Sequence, residues 1–313
     1  MAGDIPQSAG GRSAEGGSRG LAGRIGALRT GWRLRRRSRK KLARLAEADL
    51  VLVSYPKSGR TWLITMISHV LHRRFGVPET RLVNFDNFHR LDSRIPRIFY
   101  TADNMQGRPS TDEEVEALYA GKKILLLLRD PRDVAVSLYF HFTRRSTPLE
   151  RAVFGVPDNI TDIPLARFLF DEAIGLPQVI AFENAWMRRL QGFPDSLLVT
   201  FEGLRADPLP ELARIIAFLG IAADEEDIAA AVDFASFSRM QERERSHFFE
   251  TDRLRPGNAQ DPDSFKVRRG RVGGWRDYFD EETIAAIDRM LADRLTPALP
   301  YGREERPPTR AQR

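Results

Sequence analysis

Apolar and polar positions follow two alternating patterns along most of the chain. Short continuous apolar runs, such as Leu50–Val53 and residues 123–129, end at turn residues, which predicts buried strands. Between them, apolar residues recur every three or four positions, as they do from Leu63 to Leu71, and this spacing predicts helices. Strands that alternate with helices are typical of a parallel sheet covered on both faces. We therefore predict an α/β fold: a single three-layer domain around a central parallel sheet.

End signals predict several further elements. Ser110 and Glu113 have the spacing of a capping box, which opens a helix ending at Gly121, and Pro131 begins another helix. The other predicted elements are strands at Ile98–Thr101 and 197–201 and helices at 178–190 and 211–219. Residues 247–274 lack periodicity and are rich in Gly, Pro and charge, so we expect a long loop that is functional or disordered.

Composition narrows the class of protein. The chain has 313 residues and no cysteine, which excludes disulfides, zinc–thiolate sites and a cysteine nucleophile. No apolar run approaches the roughly 20 residues of a transmembrane helix, and no signal-peptide core is present. From these features we expect a cytoplasmic protein.

The net charge of +6 is concentrated at the beginning of the chain. Residues 1–48 contain twelve Arg or Lys and three acids, so they carry more positive charge than the whole chain. The basic stretch 29–44 can contact an acidic membrane or nucleic acid, although a solvated extension is the simpler interpretation. We divide the chain into a basic, disordered extension (1–48), one domain (49–300) and a flexible tail (301–313).

The first chemical signal follows the first predicted strand, in the sequence Y-P-K-S-G-R-T-W. A strand, a tight turn and a helix start in this order aim backbone N–H groups at one point, which favours a bound phosphate. The side chains that add donors, charge or an aromatic face are Lys57, Ser58, Arg60, Thr61 and Trp62, around Gly59. Arg60 follows Gly59 where a Walker A loop has Lys, so this is a different phosphate loop.

Two further segments carry basic and aromatic residues. Arg129 ends the strand at 123–129, and Ser137 follows on the next helix, so both can hold a second phosphate at the carboxyl ends of the strands. Arg268, Arg269 and Gly270 precede a Gly-Gly-Trp triplet, and the pair Ser236 and Phe237 comes before the long loop.

These segments together resemble the motifs of the sulfotransferases that use 3′-phosphoadenosine 5′-phosphosulfate (PAPS), over about residues 49–280. The resemblance implies that Lys57 and Ser58 contact the transferred group, that the 3′-phosphate lies at Arg129, Ser137 and the R-R-G segment, and that Trp62 and Phe237 stack on adenine. Gly274 stands where the family has Asp, and Phe201 where it has Tyr. The products would be a sulfated acceptor and adenosine 3′,5′-bisphosphate, and we expect no metal.

The family's general base, a His after the second strand, is missing because Ala102 stands at its position. Asp103 is our first substitute, because it comes next in the chain, and His89 is the second, because a His titrates near neutrality. We expect His69, His72 and His141 to be packed or solvated, whereas His247 opens the long loop and stays a weaker candidate.

Three functional hypotheses remain open at this stage. The first is a PAPS-dependent sulfotransferase that acts on a small-molecule or lipid hydroxyl acceptor. The second is a phosphonucleotide-binding protein with weak or no catalysis, which Ala102 favours. The third is a nucleotide or nucleoside kinase. Aromatic residues near the second strand, from Phe85 to Tyr100, mildly favour an apolar acceptor unless they are core, and the oligomeric state is open.

Overall fold

Four parallel strands form the central sheet in the part of the chain that the structure, a computed structural model, describes: residues 39–103, 110–251, 254–258 and 260–302. The strands are β1 (Leu50–Val53), β2 (Ile98–Thr101), β3 (Lys123–Leu128) and β4 (Ser196–Thr200), in the order β2-β1-β3-β4. Val53 at the end of β1 pairs with Thr101 and Leu126. Because the strands are parallel, their carboxyl ends meet at one edge of the sheet, here called the carboxyl edge.

Helices cover both faces of this sheet. They are α1 (39–47), α2 (Arg60–Phe75), α3 (Asp112–Tyr119), α4 (Pro131–Arg144), α5 (Pro148–Val153), α6 (Leu165–Leu169), α7 (Leu176–Arg189), α8 (Phe201–Ala206), α9 (Pro208–Phe218), α10 (Glu225–Phe234), α11 (Phe237–Arg245) and α12 (Glu281–Arg294).

The core has two halves because successive strand side chains point to opposite faces. Leu50, Leu52 and Leu125 pack with α2, α9 and α10 on one face. Val51 and Ile124 pack with α3, α4, α7 and α12 on the other face. This arrangement confirms the prediction of one three-layer α/β domain with a parallel sheet.

Some predicted details change. The capping box of α3 lies one residue later than predicted: Thr111 accepts a hydrogen bond from the Glu114 backbone, while Ser110 is buried. The described part of residues 247–274 is a long loop that contains some regular structure, since Pro262–Ser264 forms a 3₁₀ helix. A Cβ on Gly257 would lie 2.8 Å from the Arg144 carbonyl oxygen, so this segment packs tightly against the end of α4.

The domain boundaries also move outward. Residues 39–47 form α1, and Leu45 on it is only 1% exposed, so packed structure begins inside the segment assigned to the extension. Tyr301, which we assigned to the tail, is buried and donates a hydrogen bond of 2.7 Å to Glu202. Both corrections have one cause: these residues cover apolar core. The rest of the extension (1–38) and of the tail (303–313) lies outside the described residues.

The aromatic region before β2 is part of the hydrophobic core. Phe85, Phe88, Ile95 and Phe99 are each at most 5% exposed and belong to the two core clusters. The Tyr100 hydroxyl donates to the Val83 carbonyl oxygen, 3.1 Å away. These side chains therefore say nothing about the acceptor.

Candidate active site

The loop between β1 and α2 has a backbone shape that demands glycine. Lys57 and Gly59 both have positive φ angles, 77° and 93°. A Cβ on Gly59 would lie 2.5 Å from Cδ2 of Phe201, the residue that follows β4. Between them, Ser58 is fully buried, and its hydroxyl has no hydrogen-bond partner among the described residues. The loop is thus held tightly against α8 and keeps an unused buried hydroxyl.

Lys57 lies in a concentration of positive charge at the carboxyl edge. Burial of its ammonium lowers the Lys57 pKa well below 10.5, and the charges of Lys266, Arg145, Arg129 and Arg268 lower it further. A site in which several cations disfavour one another's charge is stabilised by a bound anion. This group of five residues is called the cation cluster below.

Arg129 connects the loop to the C-terminal part of the site. Its guanidinium donates to the carbonyl oxygens of Lys57 (3.2 Å) and Arg271 (3.3 Å) and forms an ion pair of 3.4 Å with Asp133. The guanidinium also lies over the Phe201 ring, 4.4 Å from its centroid. The buried Nε has no partner among the described residues, so Arg129 keeps one donor unused.

Residues 268–275, called the strap, close this edge. The carboxylate of Asp133 accepts hydrogen bonds from the backbone N–H groups of Gly273 (2.9 Å) and Trp275 (3.0 Å), which fixes the strap to α4. Gly270 has φ of 56°, and a Cβ there would lie 2.7 Å from the Phe237 ring. The strap therefore packs on the start of α11 only because position 270 has no side chain.

Two of the three arginines of the strap, Arg268 and Arg269, contact residues that follow it in the chain. Arg268 donates to the Tyr278 hydroxyl and lies over the Phe140 ring, 4.2 Å from the centroid. Arg269 donates to the carboxylate of Asp277 over 2.7 Å. Arg268 still contributes to the cation cluster, whereas Arg269 lies at the rim of the neighbouring cleft.

That cleft has a volume of about 620 Å³ and is lined by Glu202, Arg205, Ala206, Phe237, Arg269, Gly270, Arg271 and Val272. Trp62 lies near it: its ring packs edge-on against Phe201, 5.5 Å between centroids, and its indole N–H donates to the Ala235 carbonyl oxygen. Ser236 is the N-cap residue of α11. The cleft is thus bordered by aromatic side chains and by arginines.

Several other predicted residues have structural partners. Arg60 donates to the hydroxyl and carbonyl oxygens of Ser54, each over 2.7 Å. The Thr61 carbonyl oxygen accepts from the Thr65 hydroxyl inside α2. Ser137 is half-buried on α4, one turn after Asp133.

Asp103, our first candidate base, is occupied by an ion pair. Its side chain is 2% exposed, and its carboxylate lies 2.5 Å from the guanidinium of Arg189 on α7. Burial raises the Asp103 pKa despite that partner. β2 ends at Thr101, and Asp103 has a positive φ of 53°. Its carboxylate therefore does not continue the strand pattern and contacts Arg189 on α7. This geometry disfavours Asp103 as the base, and the assignment stays a prediction.

His89, our second candidate, lies at the wrong edge of the sheet. Its Nδ1 is hydrogen-bonded to the Ile95 carbonyl oxygen over 2.7 Å, three residues before β2 begins. Lys57, in contrast, follows the end of β1. Since the two strands run parallel, His89 belongs to the amino edge and Lys57 to the carboxyl edge.

We expected His141, on α4, to be packed or solvated and assigned it no functional role. Burial lowers its pKa to about 3, and the positive charges of Lys57, Arg145 and Lys266 contribute. His141 is therefore under the electrostatic influence of three members of the cation cluster. The available signal was spacing, because His141 comes four residues after Ser137 and therefore shares its helix face.

Two negative findings apply to the described ranges only. No group of three or more His, Asp and Glu side chains there is arranged to hold a metal ion. No helix in those ranges is both long and apolar enough to cross a bilayer.

Known proteins resemble this chain in sequence and in fold. The sulfotransferase domain family matches residues 47–297. Cytosolic sulfotransferase 12 of Arabidopsis thaliana is 26% identical, over 80% of this chain and 78% of that protein. A mouse sulfotransferase solved in complex with PAP has the same fold, with a TM-score of 0.53 and 22% identity over 79% of this chain and 84% of that chain. A retinol dehydratase solved with retinol and PAP also has this fold, with a TM-score of 0.51 and 18% identity over 80% of this chain and 82% of that chain. The chain belongs to the sulfotransferase domain family.

Proposed function

We propose that this protein transfers a sulfuryl group from PAPS to a hydroxyl group of a small-molecule or lipid acceptor. The observation that carries the proposal is the position of Arg129. One guanidinium joins the Lys57 loop to the strap and stacks on Phe201 at the carboxyl edge, where open parallel sheets bind ligands. A donor with phosphates at both ends needs such a junction between two anion sites.

The residues present fit that donor. The Ser58 hydroxyl and the Arg129 Nε are buried donors without partners among the described residues, and buried donors are normally satisfied. At Gly59 and Gly270 a Cβ would collide with an aromatic ring, so only glycine allows the loop and the strap to pack as they do. The cation cluster around Lys57 supplies the charge that a phosphosulfate and a 3′-phosphate neutralise.

Each residue then has a role in binding or charge stabilisation. Lys57 stabilises the oxygen that bridges sulfur and phosphate as negative charge develops on it, and Ser58 hydrogen-bonds the same region. Arg129 and Ser137 hold the 3′-phosphate with the N–H groups and side chains of the segment Arg268, Arg269 and Gly270. Trp62 and Phe237 enclose the adenine, and Gly59, Arg60 and Thr61 shape the 5′-phosphate loop.

The acceptor is proposed by class only. One protein of the same fold is named retinol dehydratase and was solved with retinol, an apolar alcohol. A small apolar alcohol or phenol is therefore the first class to test. The named cytosolic relative from Arabidopsis supports a cytoplasmic location for this chain as well.

Ligand binding tests the nucleotide site before any acceptor is known. Adenosine 3′,5′-bisphosphate at 100 times its Kd should stabilise the folded protein by about 2.7 kcal/mol. ATP with Mg²⁺ should do much less, and stabilisation by ATP–Mg²⁺ alone would replace this proposal with a kinase. Radiolabelled PAPS with 4-nitrophenol, androsterone and dodecanol then tests transfer.

A second function has one observation in its favour. Ala102 replaces the usual base, and the neighbouring carboxylate of Asp103 is held by Arg189. A nucleotide-binding protein without transfer would bind the bisphosphate and leave every acceptor in the panel unmodified.

A further inference from the structure

One face of α4 runs along the candidate active site from end to end. Asp133, Ser137, His141 and Arg145 follow one another at intervals of four residues, which places them on one side of the helix about 6 Å apart along its axis. At one end Asp133 holds Arg129 and the strap. His141 therefore occupies the middle of a helix face whose first end belongs to the nucleotide site.

The other end of this face is fixed just as firmly. Arg145 donates to the carboxylate of Glu244 over 3.2 Å and to the Ser264 carbonyl oxygen over 2.9 Å. The fully buried Glu244 also accepts from the backbone N–H groups of Lys266 (2.7 Å) and Val267 (2.9 Å). Glu244 thus brings Arg145 and the Lys266 segment together beside His141.

His141 is half-buried, and the charges of three cations from three different elements act on it. These are Lys57 from the loop, Arg145 at the end of its own helix, and Lys266 just before the strap. Its ring nitrogens make no hydrogen bond within the described ranges. Burial and these charges lower its pKa to about 3, so the imidazole is neutral at physiological pH and has a lone pair available.

We propose that His141 is the general base for the acceptor hydroxyl. It would replace the family's histidine, whose position is taken by Ala102 in this chain. This rests on the proposed sulfuryl transfer. A ring nitrogen of His141 takes the hydroxyl proton as the acceptor oxygen bonds to sulfur. The bond between sulfur and the 5′-phosphate oxygen breaks, and its electron pair leaves with adenosine 3′,5′-bisphosphate. The imidazolium then releases its proton to water.

The same geometry makes this base depend on the donor. The cations that disfavour imidazolium also face the anionic donor, and its negative charge opposes theirs. Binding of the donor therefore raises the proton affinity of His141, so the base gains strength when the sulfuryl group is in position. Protein with an empty nucleotide site has the weaker base.

Proton NMR of the histidine rings tests this coupling without any acceptor. His141, assigned with His141→Gln, should titrate at clearly higher pH when adenosine 3′,5′-bisphosphate is bound. His69, whose pKa is about 4 and which lies against Phe234 and Glu79, is the internal control and should not move. An unchanged His141 titration with bound nucleotide overturns the coupling. Absence of nucleotide binding would instead contradict the proposed function.

Kinetics test the base itself. His141→Gln should lower kcat by about 10²–10⁴-fold for dodecanol, the range for general base catalysis, with the Kd of the bisphosphate nearly unchanged. The loss should be much smaller for 4-nitrophenol, which ionises without help, and imidazole should partly restore His141→Ala. His89→Gln, at the amino edge, is the matched control. Equal losses for both acceptors, or full activity of His141→Gln, overturn the proposal.

Discussion

The guanidinium of Arg129 donates a hydrogen bond to the carbonyl oxygen of Lys57 across 3.2 Å, so the residue that follows β3 supports the loop that follows β1. We predict that Arg129→Gln weakens adenosine 3′,5′-bisphosphate binding by about 1.5–3 kcal/mol, the range for hydrogen bonds to charged groups. Adenosine 5′-phosphate should lose much less, because it lacks the 3′-phosphate. Calorimetric titration of both nucleotides measures the difference.

A substitution at Arg132 provides the control for the Arg129→Gln titrations. Arg132 forms ion pairs with Asp130 (2.7 Å) and Asp288 (2.6 Å). Arg132→Lys should lower the melting temperature and leave the ratio of the two nucleotide affinities unchanged. An equal loss for both nucleotides in Arg129→Gln would remove Arg129 from the 3′-phosphate site.

Lys57→Ala should reduce transfer by about 10²–10³-fold, as loss of one preorganised electrostatic stabiliser does. Bisphosphate affinity should fall much less, because the charge that Lys57 stabilises develops in the transition state. Single-turnover rates and Kd values give the two quantities separately. Lys122→Ala, at the amino edge, serves as the control, and parallel losses of rate and affinity would reduce Lys57 to a binding residue.

Gly59→Ala should disrupt the loop, whereas Gly76→Ala should not affect the site. Both glycines have positive φ, so both alanines carry a backbone penalty of about 1–2 kcal/mol. Only the Gly59 substitution also places a Cβ 2.5 Å from Phe201, since nothing lies within 4 Å at Gly76. In thermal melts Gly59→Ala should therefore lose more stability than Gly76→Ala. In nucleotide titrations Gly59→Ala should lose affinity, whereas Gly76→Ala should keep it.

Asp103→Asn should destabilise the protein and spare its chemistry. The substitution leaves Arg189, whose side chain is 9% exposed, with the exposed Asp112 as its remaining ionic partner in the described part of the chain. Breaking a buried pair from one side is destabilising by up to about 3–5 kcal/mol, and the second partner reduces that figure. Urea unfolding measures the loss, while kcat per folded molecule should stay near the wild-type value. A loss of kcat with unchanged stability would restore Asp103 as the base.

Glu183→Gln should stabilise the protein increasingly as the pH rises. Glu183 is fully buried, and burial together with the charges of Asp130 and Glu202 raises its pKa well above 4.5. Above about pH 4.5 the folded state keeps a proton on Glu183 that the unfolded state releases. The free energy of unfolding of the wild type therefore falls as the pH rises toward the folded-state pKa of Glu183. The variant lacks this loss, which amounts to about 1.4 kcal/mol per pH unit.

Urea unfolding of both proteins between pH 4.5 and 8 measures this difference. Glu116→Gln, on the exposed side of α3, is the control, because its carboxylate stays in water in both states. A stability difference that does not grow with pH would mean that Glu183 is ionised in the fold.

The sequence by itself determined the fold class and the sites at which the chain turns. The continuous apolar runs of β1 and β3 require a sheet covered on both faces, and Pro56, Gly59 and Pro131 mark where strands end and helices begin. Such information is local, since strand length, side-chain alternation and turn chemistry all act within a few residues. That is why the phosphate loop and Arg129 could be recognised.

Only the tertiary structure decided which side chains are available. Asp103 and His89 have suitable chemistry in the sequence, but an ion pair with Arg189 occupies the first, and the direction of β2 carries the second to the amino edge. In the sequence His141 is an ordinary helical residue, whereas in the fold burial and the charges of Lys57 and Lys266, both far from it along the chain, lower its pKa. The physical reason is that burial and electrostatic surroundings depend on contacts between distant segments, which a local pattern does not encode.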